Sequence, residues 1–233
     1  MRLKIATLIL LIGCGLFFWY KINTPPTLAQ QREYFVAAEK LLTKDKEKDF
    51  LRLSKKLVDY PLYPYLQYKW LKNRLSQTAA ITDFLTTYKD SYYAELLRSK
   101  WLSRLAEQQR WPEFIKYYQA SDDKSLSCQF YWANYQTGNQ QLALTEAQQL
   151  WVSAAPQPDT CNPLFAALTT SSTLPSDVIW QRFKSALQQN NISEANATLI
   201  LLNQEDQVIA KQWLQVHQTP DIIKNNAFWT TKT

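Results

Sequence analysis

Acid–base, nucleophilic or metal chemistry in this chain would have to come from nine glutamates, the aspartates, one histidine and three cysteines. Their spacing assembles none of it. His217 is remote in sequence from Cys128 and Cys161, and no Cys-x-x-Cys pair occurs, so neither a zinc site nor a cysteine–histidine nucleophile is spelled out. A glycine-rich phosphate loop and a Ser-His-Asp order are likewise missing. Glu95, Glu113, Glu146 and Glu194 fall near helix starts or on polar helix faces, where a carboxylate suits the helix dipole. Asp122-Asp123 reads as a solvated turn. The sequence therefore identifies no catalytic residue, no cofactor-binding residue and no metal ligand.

Aromatic residues offer a different chemistry. Tyr63, Tyr65, Trp111, Tyr117, Tyr118 and Trp132 could stack on sugar rings, because an aromatic face packs well on a pyranose. Helical spacing accounts for the same residues as core, and packing is their expected role.

Positioning falls to helices. Three glycines occur, and Gly13 and Gly15 lie in the first apolar run, leaving only Gly138 for the rest of the chain. Tight sheet hairpins draw on glycine at positive-φ turns, so this scarcity argues for an all-α chain joined by short polar elbows. In Asp59-Tyr-Pro-Leu-Tyr-Pro-Tyr65, Pro61 and Pro64 cannot donate backbone hydrogen bonds. They are expected to end one helix near Asp59 and to sit in the first turn of the next. That next helix has Leu66 and Trp70 on one side, and Tyr68, Leu71 and Leu75 on the other. It should pack on two sides, as a helix inside a stacked array does.

Around this elbow, the pattern predicts a first helix to about Thr43 and a second after Lys44–Lys48. Further helices are predicted over Thr78–Tyr88 and Tyr92–Gln108. In the last, Ala94, Leu97, Trp101 and Leu105 form one stripe. Three later elbows share a design: Gln109–Phe114, Thr137–Ala143 and Asn190–Ala195. Each is a polar break followed by an apolar anchor, and Gly138, Asn190 or Asn191 can take the left-handed conformation that closes a helix. Gly138 with Ala143 and Ala147 resembles the tetratricopeptide turn. The predicted architecture is a superhelical α-solenoid of stacked helical hairpins, TPR-like with irregular repeats.

Met1–Lys4 followed by the uncharged run Ile5–Tyr20 has the basic and apolar regions of a secretory signal, with a small-residue cleavage site at Ala29. An uncleaved anchor ending at Lys21, and a lipoprotein processed at Cys14, are the other readings of this run. Export places the chain in the periplasm. The expected division is a signal peptide or membrane anchor over 1–29 and one helical domain over 30–233. Beyond residue 29 there are 23 basic and 20 acidic residues, an excess too mild for a nucleic-acid stripe. Membrane contact is expected only through the amino-terminal segment.

Several motifs carry a family likeness: "DYPLYPYLQYKWL" from Asp59, then "CQFYWANYQTGN", "EAQQLW" and "CNPLF" between Cys128 and Phe165. In this order they resemble the superhelical amino-terminal domain (U-domain) of the soluble lytic murein transglycosylases, the Slt family. The likeness covers most of residues 30 to about 200. It implies a cell-wall role, a disulfide between Cys128 and Cys161, and a domain that helps form a ring holding the catalytic domain and the glycan. In an exported protein the two thiols past residue 29 are also each other's simplest partner. The family cuts the MurNAc–GlcNAc β-1,4 bond, leaving a 1,6-anhydro product. It uses one glutamate, in a Glu-Ser motif of a lysozyme-like domain, as acid and then base. No Glu-Ser pair occurs in this sequence. The resemblance therefore implies a truncated or shortened relative, inactive alone and without the catalytic domain. Its expected partners are peptidoglycan or a separate catalytic domain. A periplasmic adaptor binding envelope proteins, and a gene remnant, are the alternatives.

Overall fold

The computed structural model describes residues 25–42, 46–153, 156–171 and 174–224. Among them are twelve α-helices, two 3-10 segments and no strand. The all-α expectation is met. The chain divides into two compact units, one up to Arg98 and one from Ser99.

In the first unit, α1 (Leu28–Lys40) begins at a capping box in which Thr27 and Gln30 exchange side-chain and backbone hydrogen bonds. Leu28 and Ala29 are thus part of the helix. It ends at Lys40, short of the expected Thr43. Helix α2 (Glu47–Ser54) packs on α1. It stops well before Asp59, because Ser54 bonds back to the Leu51 carbonyl and the chain tightens into successive i to i+3 turns that bury Leu57. Pro64 lies in the first turn of α3 (Tyr63–Leu71), as expected, whereas Pro61 stands before the N-cap Leu62 and outside the helix. Leu66, Trp70 and Leu71 are buried and no residue of this helix is fully exposed, which is the two-sided packing read from the pattern. The helix ends before Leu75. Phe50 stacks on Trp70 at 4.4 Å, and the Arg74 guanidinium covers the same indole at 3.3 Å. Helix α4 (Thr78–Thr87) packs on α3, and α5 (Tyr92–Glu107) begins here and ends in the second unit. Both lie within a residue of their predicted ends.

The second unit continues with α6 (Trp111–Tyr117), α7 (Lys124–Gln136), α8 (Gln140–Val152), α9 (Asn162–Thr170), α10 (Ser176–Gln188), α11 (Ile192–Leu199) and α12 (Gln204–Gln218). The three elbows read from the sequence close in one way. Gln109, Gly138 and Asn190 have φ of 55°, 98° and 54°. The amide of each bonds three residues back, and the next amide bonds five residues back. That is the Schellman motif three times over. Asn191 is not left-handed; it caps α11 with its side chain. The first elbow uses Gln109, which composition did not suggest, since only glycine and asparagine adopt this conformation readily.

Five residues after each left-handed position stands a fully buried anchor: Phe114, Ala143 and Ala195. The two alanines let backbones approach closely, which is how α7 and α8, and α10 and α11, pair as hairpins. Trp151, Leu164, Leu168, Ile179, Phe183, Leu199 and Leu214 complete one continuous core.

Candidate functional site

Several carboxylates have structural partners. Glu113 pairs with Arg110, and Glu95 lies in the first turn of α5 beside Arg98. Asp123, read as a solvated turn, caps α7 by accepting from the amides of Ser125 and Leu126. Glu146 accepts from Tyr131, and burial with this neighbour pushes the phenol above its ordinary range. Glu194 holds the buried Arg182, accepting from its Nε at 2.7 Å, and also accepts from Thr198. Arg182 further donates to the carbonyls of Trp151 and Ser153 and covers the Trp151 ring at 4.6 Å. It ties α10 to the end of α8 and the start of α11.

Cys128 and Cys161 are joined as a disulfide across 33 residues, with Cα atoms 4.9 Å apart. It links α7 to the 3-10 turn before α9, where Ser125 and Thr160 also exchange a hydrogen bond. Neither sulfur is available as a nucleophile or metal ligand in this state. His217 meets Asn190.

All six aromatic residues considered for sugar stacking are half-buried and engaged with other rings. Tyr63 meets Tyr88, while Tyr65 meets Phe35 and Tyr93. Trp111 meets Phe114, and Tyr117 packs on Trp101. Tyr118 stacks on Phe130 at 4.1 Å, and Trp132 on Tyr135. Packing is their role. The Tyr65 hydroxyl donates to Glu39 at 2.7 Å, a bond that raises its pKa, and burial raises that of Tyr63.

A different aromatic pair is only partly engaged. Between α10 and α12 lies an open cleft of about 430 Å³ lined by Asp177, Trp180, Gln181, Lys184, Ile209 and Trp213. Trp180 is braced edge-on against the core ring of Phe183, at 87° and 5.6 Å. Trp213 lies 5.7 Å from Trp180 at 59° and remains 47 % exposed. The sequence held a signal for both. In α10 the buried stripe is Ile179, Phe183, Ala186 and Leu187, and in α12 it is Ala210 and Leu214; each tryptophan stands beside its stripe. A second cleft, of about 390 Å³, is lined by Glu39, Lys40, Leu42, Lys69, Lys72 and Asn73 in the first unit.

Stacked helical hairpins, a cross-link and open surface clefts define a helical scaffold. In sequence the chain is similar to soluble lytic murein transglycosylases. It is 26% identical over 183 residues to the Escherichia coli K12 protein and 27% over 171 residues to that of Salmonella typhimurium. These matches cover 76% and 71% of the chain. The chain spans only 28% and 26% of the length of these two relatives. No family model matches it.

Among solved structures, the fold matches the 70-kDa soluble lytic transglycosylase of E. coli with a TM-score of 0.71 and 22% identity. That match covers 89% of this chain and 34% of the enzyme. An inactive mutant of lytic transglycosylase Slt from Pseudomonas aeruginosa gives 0.69 and 25%, covering 86% of this chain and 33% of that one. The likeness read from the proline elbow and the cysteine motifs is borne out. Among the described residues, no helix is long and apolar enough to cross a membrane. The apolar run Ile5–Tyr20, read as a signal or anchor, lies outside them.

Proposed function

We propose that these 233 residues act at the bacterial cell wall as a helical scaffold that holds peptidoglycan, or positions a separate catalytic domain upon it, without supplying the cutting acid. The observation that carries this reading is the similarity to lytic murein transglycosylases over 76% of the chain, with a common fold. It is supported by the carboxylates of the described residues. Glu113 and Glu194 pair with arginine, Asp123 caps a helix and Glu39 accepts from Tyr65, so each of these has a structural partner. The same similarity supports a periplasmic location, which also suits the disulfide.

Incubation of the purified chain with murein sacculi tests both halves. The expected outcome is co-sedimentation with the sacculi and no 1,6-anhydro-muropeptides in the supernatant by mass spectrometry. Anhydro products would overturn the non-cutting assignment. Failure to co-sediment, together with capture of an envelope protein by cross-linking, would replace wall binding with the adaptor role.

A further inference from the structure

The geometry points to the cleft between α10 and α12 as a binding site for a disaccharide stretch of an N-acetylated amino-sugar strand, with Trp213 as its stacking platform. This rests on the wall-binding reading above and names the surface that performs it.

Three observations support a sugar. An exposed indole presents a flat face to the axial C–H groups of a pyranose, and Trp213 is held beside a second indole that Phe183 fixes in place. The platform is therefore formed before a ligand arrives, which limits the ordering cost of binding.

The polar groups around it are unspent. Some surface charges elsewhere are paired, as in Arg52–Asp49, Arg104–Glu107, Arg110–Glu113 and Lys224–Asp221. Among the described residues, Asp177, Gln181 and Lys184 have no such side-chain partner, yet all three line the cleft. A carboxylate accepts from sugar hydroxyls, an ammonium donates to hydroxyl or acetamido oxygens, and a carboxamide does both.

Spacing also fits. Asp177 and Lys184 are two turns apart on α10, about 10 Å along its axis, which is close to the length of one β-1,4-linked disaccharide. A cleft of about 430 Å³ with mixed polar and aromatic walls is of small-ligand size. A docked protein helix would instead require a longer, more uniformly apolar groove.

The test uses the full chain, sacculi as the insoluble probe and N-acetylglucosamine tetramer as the soluble one. The tetramer should change tryptophan emission saturably, and Trp213→Ala should abolish that change. On sacculi, Trp213→Ala should weaken retention by about tenfold, the loss of one stacked ring. Asp177→Ala with Lys184→Ala, both at exposed positions, should weaken it without altering the thermal midpoint. Leu142→Ala, an exposed apolar position on α8, serves as the control and should bind as the parent does. If the parent binds sacculi and both cleft variants bind equally well, the cleft is overturned while wall binding stands. If the parent does not bind sacculi, both fail together. If sacculus binding falls in the variants but the tetramer gives no saturable signal in the parent, the ligand is not the sugar and the assignment is wrong.

Discussion

The two units turn their corners by different physics. In the first, the elbow into α3 is set by Pro61 and Pro64 and by tight i to i+3 turns, and among the described residues no backbone there is left-handed. In the second, three elbows close by Schellman motifs at Gln109, Gly138 and Asn190. Their side-chain ties differ as well. The first unit relies on rings, with Phe50 on Trp70 and Tyr65 among Phe35, Tyr60's neighbour, and Tyr93. The second adds a covalent bond and a buried guanidinium that bridges three helices. Aromatic packing is distributed, so it tolerates small errors. A cross-link and a buried charge concentrate stability in few atoms and so should fail abruptly.

The largest effect that would sharpen this contrast is Trp70→Ala. It empties the space between Phe50 and Arg74 and should cost about 4 kcal/mol. Hydrogen exchange should locate that loss before Arg98; loss confined to later residues would break the comparison. Next comes the cross-link. Cys128→Ala with Cys161→Ala releases a 33-residue loop and should cost roughly 3.5 kcal/mol in urea unfolding. A change below about 1 kcal/mol would show that the hairpins alone hold α7 to α9.

Arg182→Ala should cost about 3 kcal/mol, because Glu194 and two carbonyls lose their donor at a site 8% exposed. Arg110→Ala, which breaks a more exposed pair, should cost less than about 1 kcal/mol. Equal losses for the two would mean that burial is not what makes Arg182 important. Gly138→Ala is smaller, about 1 kcal/mol, since φ is 98° and nothing lies within 4 Å of an added methyl. Gln109→Gly should have the opposite sign and raise the midpoint.

The smallest effect is one of pH. Tyr63, Tyr65 and Tyr88 in the first unit have pKa values above the ordinary 10.0, Tyr65 chiefly through its bond to Glu39. A raised folded-state value means that the native state holds the proton more tightly. The resulting stability is present below pH 10 and is lost as pH rises through the folded pKa. Thermal midpoints should therefore fall above pH 10, and Tyr65→Phe should lessen the fall. An unchanged slope in that variant would place the alkaline sensitivity elsewhere.

Much of the fold could be read locally. Helix α5 announced itself by its stripe, and the anchors Phe114, Ala143 and Ala195 closed the elbows that the sequence had marked. The end of α2 was misplaced at Asp59 because proline signals a boundary without saying how many turns precede it. Gln109 escaped notice because its left-handed backbone follows from the Schellman hydrogen bonds, not from its own preference. The candidate site was read least well. Six aromatics drew attention, yet rings of their own or other segments already engage them.

By itself, the sequence determined that the chain is helical, where most corners fall, and which two cysteines remain to pair. Those properties depend on backbone preferences and on spacing within one or two turns. The Cys128–Cys161 pairing expected from the sequence is met, while tertiary structure alone decided that Arg182 bridges the end of α8 and the start of α11, and that Trp180 and Trp213 share an open cleft. The contacts of Arg182 with Trp151 and of Trp180 with Trp213 join residues about thirty apart, and only the packing of whole helices brings such distant side chains within a few ångströms.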